Sequence, residues 1–349
     1  MGDLLHTARS EVRTVTQNLL SEGRGWILLA VSTGWALSIG MRFVYPALVP
    51  FLQSEFHGLT TTGVLLTVLW GAYAIGHVPG GIIGDRIGEG NILVLSTAIS
   101  AGAVLVVVTA VNVWMLFAGT ITFGLATALC GPTRFTILTD IYAKQAGSAI
   151  GLTMAAGSLD NAGPPVVATV LATYLAWRFG FGVFFPLFVL VLIALWLAVP
   201  GRTSSRTSAV DAVSLRTVRR ITRGVTRESI PTIVAIQTTV SFIIQGFSSF
   251  YPTYLTATKG ASPELAATLF GVFFAIGAII QPIAGNMMDR IEPWRTLILS
   301  FGGCILALWV LPFVHGVLPL VIVMLLLSSW NGCGVIENVR RKPTAKAVG

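Results

Sequence analysis

Two copies of one short signature, about two hundred residues apart, limit the folds open to this chain. The first reads Gly81-Ile82-Ile83-Gly84-Asp85-Arg86, and the second reads Gly285-Asn286-Met287-Met288-Asp289-Arg290. Each follows a hydrophobic stretch long enough to cross a bilayer, so Gly-x-x-x-Asp-Arg recurs where a helix returns to water. Self-similarity at that separation means two related halves. Other pairs keep the same register: Gly40 with Gly246, Tyr45-Pro46 with Tyr251-Pro252, Cys130-Gly131 with Cys333-Gly334.

Of the 349 residues 54% are hydrophobic and only 10% charged, which excludes an ordinary soluble domain. Apolar runs of about 20 residues cross ~30 Å of hydrocarbon as helix. They fall at 26–52, 61–83, 92–111, 114–139, 147–172, 181–200, 229–257, 264–283, 296–314 and 317–336, with a loop expected from Tyr174 to Gly180. An all-α membrane protein of about ten spans follows, six in the first half (26–200) and four in the second (229–336). A basic linker at 201–228 separates them, a polar segment precedes them (1–25), and a basic tail follows (337–349). Residues 1–25 hold no continuous apolar core, so no cleavable signal peptide is expected; Leu4, Ala8, Val12, Val15 and Leu19 instead suit a helix lying on the membrane surface.

The net charge of +8 does not point to nucleic acid. Lys and Arg gather in alternate loops, among them Arg24, Arg86, Lys144 and the seven arginines of the linker, whereas Arg178 and Lys259 alone fall on the other side. Positive loops stay in the cytoplasm, so both termini and the linker are expected there, in a multi-pass protein of the plasma membrane. Cys130, Cys304 and Cys333 show neither disulfide nor metal spacing. No phosphate-cradling loop, nucleophile elbow or paired-histidine helix is present, so neither an enzyme nor a cofactor is expected.

The twin Gly-x-x-x-Asp-Arg motifs, six leading spans, basic linker and second homologous set resemble the major facilitator superfamily over roughly residues 26–338. The resemblance implies a secondary transporter with a central cavity, lined by the first, fourth, seventh and tenth helices, that opens to alternate sides. It implies a cytoplasmic gate at Gly81, Asp85, Arg86, Gly285, Asp289 and Arg290. Two departures stand out: Glu89 and Gly90 replace the usual basic residues, and Val166-Val167 replace the small pair after the antiporter-like Gly163-Pro164. The resembled bundles have twelve helices, so the chain reads as lacking the last two, a truncated or frameshifted form in which Asp85 loses its expected partner on the eleventh.

Charge inside hydrocarbon costs at least ~2.5 kcal/mol on insertion scales, so Arg42, Arg134 and Asp160 each need a reason. Arg42 and Arg134 lie on the expected cavity-lining first and fourth spans. Forked guanidinium donors suit a carboxylate or phosphate, which makes an organic anion one reading; internal pairing, of Asp160 with an arginine or Arg134 with Asp140, is the other. Asp160 is also the proton-coupling candidate, because a buried carboxyl can exist neutral as well as charged. Trp35, Tyr45, Gln245 and Tyr251 are further candidates for substrate contact, His77 reads as structural, and Ser248 stands where the second half would repeat Arg42. The partners expected are a small solute, a coupling ion (proton or sodium) and lipid. Proton-driven efflux of amphipathic compounds, and a non-transporting remnant or sensor, remain alternatives.

Overall fold

A computed structural model describes residues 24–56, 58–143, 145–202, 230–290 and 293–328; the side chains of 132, 230–237, 240, 279, 281–290 and 293–301 are not described. The expected surface helix at the N-terminus, nearly all of the linker and the tail after Ser328 therefore lie outside the described residues.

The apolar runs become helices. In the first half these are α1 (Arg24–Glu55), α2 (Leu59–Ile87), α3 (Glu89–Val108), α4 (Val113–Ile141), α5 (Ala146–Tyr174), α6 (Trp177–Gly182) and α7 (Phe184–Ala198). The second half supplies α8 (Ile230–Lys259), α9 (Pro263–Arg290), α10 (Pro293–Val310), a 3-10 turn (Leu311–Phe313) and α11 (Val317–Ser328). Among the described residues α1, α2, α3, α4 and the joined stretch of α6 and α7 (Trp177–Ala198) have the length and composition to cross a membrane. Large side chains such as Ile75, Leu190, Trp196 and Leu197 stand exposed on the outer surface, as a bundle solvated by lipid requires. The loop expected from Tyr174 to Gly180 shrinks to Leu175 and Ala176. Trp177 already starts α6, and Val183 separates it from α7.

Small residues set the helix packing. In α5 the buried positions Ala149, Thr153, Gly157, Asn161, Pro165 and Thr169 recur every four residues, and this stripe lies on α1. The approach is reciprocal: a Cβ on Gly157 would meet the Trp35 ring, and one on Gly40 would overlap the Asp160 side chain and carbonyl. Gly76, Gly80 and Gly84 of α2 likewise meet Ala128, Leu129 and Thr133 of α4. Lipid offers no hydrophobic drive between helices, so close backbone contact through such stripes does much of the holding.

Polar ties close both ends of the first half. At the end where α1 begins, the Tyr142 hydroxyl donates to the Arg24 carbonyl. Gly90 and Asn91 N–H donate to the Gly201 carbonyl, and Arg202 donates to the Arg86 carbonyl at 2.7 Å. Gly88, at φ +99°, turns the chain between α2 and α3 and leaves no room for a Cβ beside Gly201. At the opposite end Arg178 pairs with Glu55 at 2.8 Å and donates to the Ala110 carbonyl at 2.9 Å, while Trp177 Nε1 also donates to Glu55. That end carries Lys259, which donates to the Pro312 carbonyl.

The halves meet chiefly where α1 packs on α8 and α5 on α9. Phe43 of α1 enters the second half's core, 4.7 Å from the Phe274 ring and 5.9 Å from Phe270. Trp70 Nε1 of α2 donates to Ser249 Oγ of α8 at 3.0 Å. All of these residues sit in the part of their helices nearer the Lys259 end.

Candidate functional site

Arg42 is 1% exposed and donates a hydrogen bond to no described residue; its Nε and Nη1 are buried without partners. Its guanidinium lies 3.7 Å from the Tyr73 ring centre, 5.6 Å from Trp35 and 5.7 Å from Trp70. Aromatic faces are worth about 2 kcal/mol to a desolvated cation, whereas an unpaired buried ion costs several. The cage therefore covers only part of the charge. Arg134 is nearly as buried, sits 3.3 Å above the same Trp35 ring, and donates to the Gly131 carbonyl at 2.8 Å. Its Nε has no partner. Trp35 and Arg42 are seven residues apart on one face of α1, so this tryptophan becomes a floor shared by both guanidiniums.

Neither arginine finds an internal counter-ion among the described residues. Among the described residues the ion pair is Arg178–Glu55, far from this site. Asp160 is half-buried, pressed on Gly40, with Oδ2 lacking a hydrogen-bond partner, and Arg134 turns to Gly131 rather than Asp140.

The other expected contact residues divide. Gln245 is half-buried and Ser248 fully buried on α8, each with an unpartnered oxygen. Tyr251 stacks on Phe247 at 4.9 Å within the second half's aromatic core, its hydroxyl unpartnered. Tyr45 is not brought to the arginines: its ring turns into the first half, 4.8 Å from Phe181 and 6.0 Å from Phe123. Of the gate residues, Gly81 is half-buried while Asp85 and Arg86 are exposed at the end of α2. The Asp85 carboxylate makes no hydrogen bond or ion pair among the described residues. Gly285, Asp289 and Arg290 occupy the last turns of α9, and their side chains lie outside the description.

Trp70 and Tyr73 escaped the sequence reading. The signal that marks them is Trp70-x-x-Tyr73-x-x-x-His77, one helical face of α2. His77 completes that stripe, its Nδ1 2.8 Å from the Tyr73 carbonyl and its ring against Tyr73 and Gly131, as a structural histidine would.

Residues 30–338 match the sequence model of the Major Facilitator Superfamily. The chain belongs to this superfamily. It is accordingly a multi-pass membrane protein and a secondary transporter, not an enzyme. Solved structures of superfamily members share its fold at low identity. A bacterial homolog of the human lysosomal transporter Spinster, inward-facing and occupied, is 18% identical with a TM-score of 0.65 over 89% of this chain and 73% of its own. The D-xylose–proton symporter is 16% identical, TM-score 0.67, over 88% and 80%. The xylose transporter XylE from E. coli, partially occluded and inward open, is 15% identical, TM-score 0.69, over 89% and 83%. No curated protein matches the chain.

The contact between halves adds a prediction. Trp70→Phe deletes the bond to Ser249, a loss of about 1 kcal/mol, or roughly fivefold in the closed-to-open ratio at the Lys259 end. Labelling of a cysteine placed at Phe270 should rise accordingly in Trp70→Phe over the same cysteine in a wild-type background; no change would mean that the bond does not hold this end shut.

Proposed function

We propose that this transporter moves a small organic anion by alternating access, with Arg42 as the anchoring charge and Arg134 as a second donor across Trp35. The single observation behind this reading is a buried guanidinium held in an aromatic cage with no acceptor among the described residues. An entering carboxylate supplies the missing acceptor and is bound most strongly where water is excluded. Gln245 and Tyr251 present polar atoms from the second half, and Asp85, Arg86, Asp289 and Arg290 form the cytoplasmic gate. Residues 26–200 and 229–336 act as the two rocking bundles.

A gradient drives the cycle. Asp160 is engaged by neither arginine, which leaves it available to take up and release a proton, and this favours proton over sodium coupling. The same carboxylate supports the second reading, proton-driven efflux of amphipathic compounds. The distribution of Lys and Arg supports a plasma-membrane protein with both termini inside.

Reconstituted proteoliposomes test the reading. A panel of radiolabelled carboxylates should accumulate above protein-free vesicles, and an imposed pH gradient should change the rate. Flux of neutral solutes only would reject the anion; flux indifferent to pH and to Asp160→Asn would reject the coupling.

A further inference from the structure

Arg42 and Arg134 offer donors only, and both come from the first half. On α5 and α8, the helices of each half that pack on α1, lie buried oxygens able to accept and without partners: Asp160 Oδ2, the Asn161 and Gln245 carboxamide oxygens and the Ser248 hydroxyl. Two contacts tie these helices to the surroundings of Arg42. Gly40, two residues before Arg42, packs on Asp160, and Trp70, 5.7 Å from Arg42, is bonded to Ser249 beside Ser248. A bare anion presents acceptors alone; it would satisfy the guanidiniums and leave Asp160 unmet.

We infer that the cargo, granted the anion reading above, also carries hydrogen-bond donors along its carbon skeleton, and that its class is the hydroxylated carboxylates. Hydroxyls donate to Asp160 and both donate and accept with Ser248 and the two carboxamides, which no alkyl chain can do. The first half grips the carboxylate, and the oxygens of α5 and α8 read the hydroxyls. A site built to bond a hydroxyl rejects the analogue lacking it, because its own polar groups are then buried unpaired.

Trp35 and Trp70 provide the readout. Tryptophan quenching of the purified full chain is titrated with pairs matched in carbon number: lactate and propionate, gluconate and hexanoate, quinate and cyclohexanecarboxylate, with glucose as the neutral comparison. In at least one pair the hydroxylated member should bind at least tenfold more tightly. Asn161→Ala combined with Gln245→Ala should remove that preference by weakening the hydroxylated member toward its deoxy partner; a preference kept in full would overturn the inference. Equal affinity within every pair overturns the inference, by the wild-type titrations alone, and leaves the anion reading standing. The anion reading fails separately if Arg42→Gln leaves carboxylate binding unchanged or glucose binds as well as gluconate; binding of no carboxylate overturns both.

Discussion

Arg42→Gln should abolish anion uptake while making the empty protein more resistant to heat. Truncating one partner of a buried, hydrogen-bonded charge pair costs about 2–5 kcal/mol, here a thirty-fold to several-thousand-fold loss in substrate binding. In the substrate-free protein the same charge has no counter-ion among the described residues, so removing it relieves desolvation. Opposite signs for function and stability are the mark of a binding charge. Arg42→Lys should recover little, since an ammonium has neither the planar fork nor the stacking surface that Tyr73 and Trp35 receive. Uptake in proteoliposomes, with the thermal midpoint of the same purified samples, reads both effects. A variant that loses stability and uptake together makes Arg42 a structural residue and withdraws the anion site.

Gly40→Ala comes second in size. A methyl group there would collide with the Asp160 carbonyl as well as its carboxylate, and backbone cannot swing aside as a side-chain tip can. Overpacking of this kind costs about 1–3 kcal/mol, and separating α1 from α5 also moves Asp160 and the Trp35 floor. A lowered thermal midpoint and defective uptake are expected, with Gly40→Leu failing to give a folded peak on size exclusion. Gly102→Ala is the control: it is helical and exposed, and nothing lies near its added methyl. It should be neutral or slightly stabilising. Equal behaviour of Gly40→Ala and Gly102→Ala would show that α1 and α5 do not depend on that contact.

The spans were legible because about 20 apolar residues with polar breaks leave few alternatives in lipid. Arg42, Arg134 and Asp160 were legible for the converse reason, as charges stand out in apolar runs. Trp70 and Tyr73 were not: an aromatic residue in a hydrophobic span has no contrast in composition, and only its spacing with His77 distinguishes a cage from a lipid-facing surface. Tyr45 shows the same difficulty reversed. One turn beyond Arg42 on the helix, it was matched to Tyr251 by register, yet a modest rotation about the axis of α1 carries its ring into the first half. The glycine seams were visible as glycines, but Gly76, Gly80 and Gly84 acquire meaning only when α4 is laid against them.

Among the described residues the seal between halves near Lys259 is largely one of rings, Phe43 and Trp70 against Phe270 and Phe274, with the neutral Trp70–Ser249 bond beside them. Apolar burial weakens on cooling, whereas ion pairs respond first to ionic strength. The balance between the two ends of this bundle should therefore shift with temperature and stay nearly indifferent to salt, so that chilling favours exposure of the Lys259 face.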